Sequence, residues 1–232
     1  MKSSKHHKSK ETLLKIEGVD LDDIGDLREF DKVVFERYGA ICGIDEAGRG
    51  PIAGPVAAAA VILDPNNPIE GLNDSKKLTP KKREALYDKI CENALDFRIV
   101  LVTSYVIDKT DILSADMYAM KRAFEDMETK IGIVLVDGDV LPDIEFDGEL
   151  KNVIKGDAKS EAIAAASILA KVSRDREMCK MAEKYPGYGF EKHKGYGTKA
   201  HYEAIDRLGL CPIHRKTFLK KYLAEKENGQ TS

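Results

Sequence analysis

The run Ala40-Ile-Cys-Gly-Ile ends in two adjacent carboxylates, Asp45 and Glu46, and Gly48-Arg49-Gly50 follows almost at once. Neighbouring side chains on a strand point to opposite faces. Asp45 and Glu46 therefore cannot both be plain surface residues of one buried strand. One or both must lie at a strand end, where something else meets the charge. The two glycines let the backbone approach a ligand closely. Carboxylates beside exposed N–H groups and an arginine point to a divalent metal next to a phosphate.

The rest of the chain supplies a sheet for that strand. Ala40–Asp45 and Val56–Leu63 read as an antiparallel hairpin across the Gly48–Pro55 turn. Phe97–Thr103 is a third strand. Ile131–Val136 is continuously apolar, as expected of a central strand covered on both faces, and a short strand over Asn152–Lys155 follows it. Helices are predicted over Leu27–Tyr38, from Pro80 to about Asn93, from Asp108 to about Lys130, from Ala158 to about Lys184, near Thr198–Leu208 and near Thr217–Glu225. Thr79-Pro80 opens the second of these with proline at the first helical position. Pro186-Gly187 ends the long alanine-rich one, and a Gly/Tyr/His-rich loop follows. The first ten residues are predicted to be disordered. Strands alternating with helices make this an α/β fold with a mixed sheet.

Composition narrows the class. A chain of 232 residues is one large domain or a domain with an appendage. The longest apolar run, Val56–Leu63, falls far short of the roughly 18 residues that span a membrane. The basic N-terminus has no apolar stretch behind it, so no signal peptide is expected. Cys42, Cys91, Cys179 and Cys211 are scattered with no Cys-x-x-Cys, which fits reduced thiols in the cytoplasm. The net charge of −3 hides an asymmetry: residues 151–232 carry 17 Lys+Arg against 10 Asp+Glu, or +7, leaving −10 for residues 1–150. That division suits an acidic metal centre facing a phosphate-binding wall.

Four carboxylates fall at predicted strand ends: Asp45, Glu46, Asp137 and Asp157. Each has an ordinary explanation alone. Asp157 can cap the long helix, Asp137-Gly138 can be a turn, and Asp45-Glu46 can pair with Arg49. Brought together they would repel and raise one another's pKa, and a divalent cation removes that problem. Oxygen-only ligands favour Mg²⁺ or Mn²⁺ over zinc. Two such ions roughly 4 Å apart can activate water and stabilise a leaving phosphate oxygen. A phosphate-cradling Gly-x-x-x-x-Gly-Lys-Ser/Thr loop and a His-Glu-x-x-His zinc motif are both missing from the sequence.

The motif Gly43-Ile-Asp-Glu-Ala-Gly-Arg-Gly-Pro-Ile-Ala-Gly-Pro-Val resembles the opening signature of ribonuclease HII. The likeness continues in order through Asn73-Asp-Ser-Lys-Lys-Leu, Val136-Asp-Gly, Lys155-Gly-Asp-Ala-Lys-Ser, Ile163 to Asp175, His193-Lys-Gly-Tyr-Gly-Thr and Pro212-Ile-His-Arg. It implies an RNase H-like fold, a five-stranded mixed sheet flanked by helices with a helical C-terminal part. Residues 1–37 would be a partly disordered, partly helical extension, 38–184 the catalytic domain and 185–232 a substrate-binding part. It implies a metal-dependent endoribonuclease that cuts the RNA strand of RNA–DNA hybrids and incises duplex DNA at single embedded ribonucleotides, leaving 5′-phosphate and 3′-hydroxyl ends, in the service of DNA repair.

By the same resemblance, Asp45, Glu46, Asp137 and Asp157 coordinate Mg²⁺ or Mn²⁺, two ions during catalysis. Gly48, Arg49 and Gly50 read the 2′-hydroxyl, and Tyr196 packs on the ribose at the RNA-to-DNA junction. Ser75, Lys76, Lys77, Lys159, Lys171 and Arg174 are candidate phosphate contacts, with Lys76 and Lys159 foremost because they lie inside matched motifs. His193 and His214 read as structural or substrate-side residues, not zinc ligands, because no partner has usable spacing. A monomer is expected. The Lys-Tyr-Leu-Ala tail lacks the paired aromatics of a sliding-clamp motif.

Overall fold

The computed structural model describes residues 14–17 and 20–229, so the disorder expected over the first ten residues lies outside the described residues. Five strands, β1 (Ile41–Ala47), β2 (Val56–Ile62), β3 (Asp96–Val102), β4 (Ile133–Asp137) and β5 (Glu149–Val153), form one mixed sheet in the order β3-β2-β1-β4-β5. The hairpin pairs β1 with β2 antiparallel, Asp45 opposite Ala59. β4 lies parallel to β1, with Ile44 opposite Val136, and β5 lies parallel to β4. The sheet is mixed, as expected, and the pairing of its two central parallel strands ends at Ile44 and Val136. Asp45 and Asp137 each come one residue after the Ile44–Val136 pair, so register alone makes them neighbours on one face.

Strand alternation sorts the core into layers. On one face, Cys42, Ile44, Val56, Ala58, Ala60, Val134 and Val136 pack against Ala115, Met117, Ala119, Met120 and Ala123 of α4 (Ile112–Glu125). On the other, Ala59 and Val61 meet Leu86 and Ile90 of α2 (Pro80–Asn93) and the alanine-rich half of α5 (Glu161–Lys184). Alanine favours helix and allows a close approach. That approach explains Gly43: a Cβ there would lie 2.2 Å from the backbone carbon of Ala162. Phe30 and Val34 of α1 (Leu27–Tyr38) bury against Ile41, Ile133 and Leu135. Arg28 pairs with Glu161 at 3.2 Å, and Asp31 Oδ2 accepts the Ala162 N–H at 2.8 Å, tying α1 to the start of α5.

The elements depart from the sequence expectation at five places, the first being β1, which runs on to Ala47 rather than ending at Asp45. The helix predicted over Asp108–Lys130 is two, α3 (Ser104–Lys109) and α4, because Asp111 caps the second by accepting the Ser114 N–H. β5 lies three residues before the predicted Asn152–Lys155 start. Its edge position tolerates Glu149 and Lys151, which pair at 2.9 Å and mask the strand pattern. α5 starts at Glu161, not Ala158, because Ser160 caps it and Gly156–Ala158 form a 3₁₀ turn. The Gly/Tyr/His-rich loop holds one helical turn, α6 (Phe190–His193). The last helices, α7 (Lys199–Leu208) and α8 (Lys216–Gly229), gather Ile52, Ala53, Met178, Phe190 and Leu219 into a separate apolar cluster. No helix among the described residues is long and apolar enough to cross a membrane.

Candidate active site

The sheet's central strands deliver the carboxylates. Asp45 is buried on the α5 side of β1, and Glu46, one residue on, turns to the α4 side. Asp137 ends β4, and Asp157 sits in the turn beyond β5. Burial pushes Asp45 well above the usual carboxylate range, with Glu46, Asp137 and Asp157 each adding to the shift. Burial also raises Asp137, helped by Glu46, and raises Asp157, helped by Asp137. The repulsion anticipated from the sequence is therefore present in space.

Each of the four has found a local partner. Asp45 Oδ1 accepts the Glu46 N–H at 2.7 Å, and Asp137 Oδ1 accepts the Gly156 N–H at 2.6 Å. Asp157 faces Lys76 Nζ at 3.7 Å and Glu46 faces Arg49 at 3.8 Å. No three acidic, histidine or cysteine side chains among the described residues form a closed metal cage. The donor set nevertheless fits a hard divalent cation. It is all oxygen, and it crowds negative charge where the β1–β4 pairing ends. Burial pulls Lys76 down, but Asp157, Asp45, Asp74 and Asp137 outweigh it, so its ammonium is held charged at the rim.

A cleft of about 400 Å³ opens beside Asp45 and Glu46, lined also by Gly48, Arg49, Gly50, Ser75, Lys76, Lys171 and Tyr196. Two distant loops form its wall. Ile52 and Ala53 donate N–H bonds to Gly195 O at 2.9 and 3.2 Å, and Gly54 donates to Ile213 O at 2.8 Å. Gly50 consequently lies against Tyr196, whose Cε1 would be 3.8 Å from a Cβ on that glycine. Tyr196 remains 46% exposed, open to a ligand. Gly48 has φ +99°, and a Cβ there would strike Arg174 Nε at 2.0 Å, so glycine is required.

Two buried arginines build this loop. Arg215 donates to the carbonyls of Gly48 (2.7 Å), Arg49 (2.9 Å), Gly54 (3.0 Å) and Pro55 (3.0 Å). Arg174 donates to Pro55 O at 2.8 Å and Ala53 O at 3.3 Å, and its guanidinium stands 6.0 Å from the Tyr196 ring centre. Burial lowers Arg174 and brings Arg215 down to about 9. Arg174 was expected to touch phosphate; it is a scaffold residue, 1% exposed, with its donors turned to carbonyls. Arg83 holds the neighbouring Ser75–Leu78 turn in the same way, donating to Ser75 O and Leu78 O at 2.7 and 2.6 Å.

The structure brings Asp45, Glu46, Gly48, Arg49, Gly50, Ser75, Lys76 and Tyr196 to one cleft, with Asp137 and Asp157 adjoining it. Lys159 stands apart: its ammonium lies 2.5 Å from Asp22 and lines a different hollow with Leu14 and Phe30. Lys171, at the cleft, is held by Asp175 at 2.8 Å. Sequence reasoning missed Asp116. This α4 carboxylate is fully buried, neither oxygen has a hydrogen-bond partner, and Oδ2 lies 3.6 Å from Arg49 Nε. Burial and Glu46 lift it to about 8 against the pull of Arg49. Its only sequence signal was an acid inside the apolar stripe Ala115–Met120.

Solved structures share this architecture. Ribonuclease H2 from Pyrococcus horikoshii aligns with TM-score 0.67 and 33% identity over 77% of this chain and 93% of its own. Ribonuclease HII from Archaeoglobus fulgidus, solved in complex with PCNA, aligns with TM-score 0.59 and 26% identity over 76% and 93%. Fold and site thus define a ribonuclease H-type endoribonuclease, a hydrolase acting on RNA–DNA substrates. The ribonuclease HII family profile matches residues 42–221, and ribonuclease HII of Caldicellulosiruptor bescii is 53% identical over 84% of this chain and 93% of that protein. The chain belongs to the ribonuclease HII family.

Proposed function

We propose that the chain incises duplex DNA at single embedded ribonucleotides, as well as cutting the RNA strand of hybrids, and so serves ribonucleotide removal. The observation that carries this reading is the juxtaposition of the Gly48–Gly50 loop and Tyr196, which line the carboxylate cleft together. The 2′-hydroxyl is the local group that tells RNA from DNA. The backbone groups of Gly48, Arg49 and Gly50 can hydrogen-bond it while the Tyr196 ring packs on the sugar. Lys76 and Ser75 then face the scissile phosphate, and Arg49 adds positive charge beside it. Lys159, held by Asp22, is left out of this set.

Asp45, Glu46, Asp137 and Asp157 would hold Mg²⁺ or Mn²⁺. Bound there, the cations would supply charge neutralisation at the phosphate and lower the pKa of an attacking water. Cleavage on the 5′ side of the ribonucleotide leaves a 3′-hydroxyl and a 5′-phosphate. Residues 185–232 would be the substrate-binding part, since α6 and α7 carry and brace the Tyr196 loop. The test is a duplex with one ribonucleotide, run beside its all-DNA twin and a 2′-O-methyl version. Cutting of the first alone, at one bond and abolished by EDTA, is expected. Equal cutting of the all-DNA twin would overturn the reading.

A further inference from the structure

Three histidines stand behind Tyr196, and the proposed reaction uses none of them. His193 closes α6, His201 lies in the first turn of α7, and His214 precedes α8. His201 and His214 are buried and His193 is half-buried. Their proton positions follow from their partners. A backbone carbonyl can only accept, so His201 Nδ1, 2.9 Å from Tyr196 O, carries the hydrogen. Its bare Nε2 faces His214 Nε2 at 3.1 Å, which makes His214 Nε2 the donor. His214 Nδ1 is then bare and accepts the Cys211 N–H at 2.9 Å, with Cys211 Sγ and Cys211 O each 3.2 Å away. A hydrogen on Nδ1 aimed at that carbonyl would leave two bare Nε2 atoms facing across 3.1 Å. Starting instead from the Cys211 N–H gives the same two tautomers.

His193 obeys the same logic. Its Nδ1 accepts the Gly195 N–H at 3.2 Å, so Nε2 carries the hydrogen and donates to Tyr188 O at 2.8 Å. Its ring stacks on His201 at 4.3 Å and 16°, and Phe190 meets both rings edge-on. All six ring nitrogens are therefore engaged by five hydrogen bonds: two from backbone N–H groups, two to carbonyls and one between His201 and His214. Burial holds His214 below the ordinary histidine range and His201 down to about 4, in keeping with neutral rings.

The backbone they grip is unusual. Lys194 has φ +51° and Gly195 φ +86°, and a Cβ on Gly195 would meet Ala53 O at 2.3 Å. Left-handed residues in succession persist when their surroundings fix them. We propose that His193, His201 and His214 are positioning residues, a relay of neutral imidazoles that fixes the backbone of residues 193–196 and with it the pose of Tyr196 against a ribose. A neutral imidazole offers a donor and an acceptor on opposite edges of a rigid ring; a phenyl ring of similar size offers neither. The inference rests on Tyr196 being the ribose reader.

Long-range ¹H–¹⁵N spectra of the full chain at neutral pH test the relay without substrate. The expected result is His201 as the Nδ1–H tautomer, with His193 and His214 as Nε2–H. A cationic ring, or His201 as Nε2–H, would overturn it. The second arm compares Tyr196→Ala and His201→Phe on a one-ribonucleotide duplex and on an all-RNA/DNA hybrid. His201→Phe is expected to lower kcat/KM on the first by roughly 10- to 100-fold, mostly through KM, with a smaller loss on the hybrid. If Tyr196→Ala shows that selective loss and a folded His201→Phe does not, the relay fails and the reader survives. If Tyr196→Ala shows none, the reader fails, and the positioning role with it whatever the tautomers.

Discussion

The two halves of this cleft are held by opposite electrostatics. On the metal side, Asp45 and Asp157 are buried and Asp137 is half-buried, all close to Glu46, and every resolved shift among them is upward. Behind Tyr196, the buried polar groups are arginines and neutral histidines whose donors and acceptors are matched one by one. The first half is short of positive charge and its side chains have settled for local partners. The second half is complete. Catalytic ends that must recruit a cation carry unsatisfied charge, whereas a surface that recognises shape must be rigid before its ligand arrives.

Substitutions should separate the halves. The largest effect is expected for Asp45→Asn, which keeps the fold but lowers cleavage by roughly 10³-fold or more; circular dichroism and a gel assay check both points. Arg215→Met comes next. It leaves the carbonyls of Gly48, Arg49 and Gly54 without their donor, while Pro55 O keeps its bond from Arg174. Buried unpaired acceptors cost about 1–3 kcal/mol each where water cannot replace the bond, so chemical denaturation should show a loss of about 3 kcal/mol or more. Tyr196→Ala should follow with a loss of roughly 10- to 100-fold on the one-ribonucleotide duplex and unchanged cation binding.

A pH series sharpens the contrast. A carboxyl whose folded pKa is raised binds its proton more tightly when folded, so it stabilises below the unfolded value and that contribution is lost as pH rises through the folded value. For Asp45, Asp137 and Asp157 the loss begins at the ordinary carboxylate value and continues above it, and for Asp116 it runs up to about 8. The cation-free protein should therefore melt at falling temperature from about pH 4 toward pH 8, and Mg²⁺ or Mn²⁺ should restore the loss at the upper end. The His201–His214 relay has the opposite sign. Its depressed pKa values contribute above the ordinary histidine value and are lost as pH falls toward about 4. The smallest effect is expected for Asp116→Asn. It relieves a buried acid and frees Arg49 from one partner, giving a rise in KM within roughly tenfold.

The same contrast explains what the sequence disclosed. The strand-end carboxylates were legible because apolar runs break at Asp45 and Asp137, and the ordered motifs tied Asp157, Lys76 and Tyr196 to them. The sheet was legible from β2, where all seven residues are buried, and α2 from its cap Thr79 with Pro80 at the first helical position. What escaped was satisfied in three dimensions. Arg174 and Arg215 look like surface cations until the carbonyls of a loop more than a hundred residues away fold around them. Asp116 lies in an amphipathic helix, and nothing local tells an inward acid from an outward one. The β5 edge hid because its ion pair imitates a loop.

The account turns on Asp45, Glu46, Asp137 and Asp157 forming one cation site that is separate from the ribose-reading wall. Titrating Mn²⁺ into the protein and following its electron paramagnetic resonance signal tests this without any substrate. Wild type, Tyr196→Ala and Asp116→Asn should bind Mn²⁺ alike, and Asp45→Asn and Asp137→Asn should lose most of that binding. Undiminished Mn²⁺ binding in both aspartate variants would contradict it.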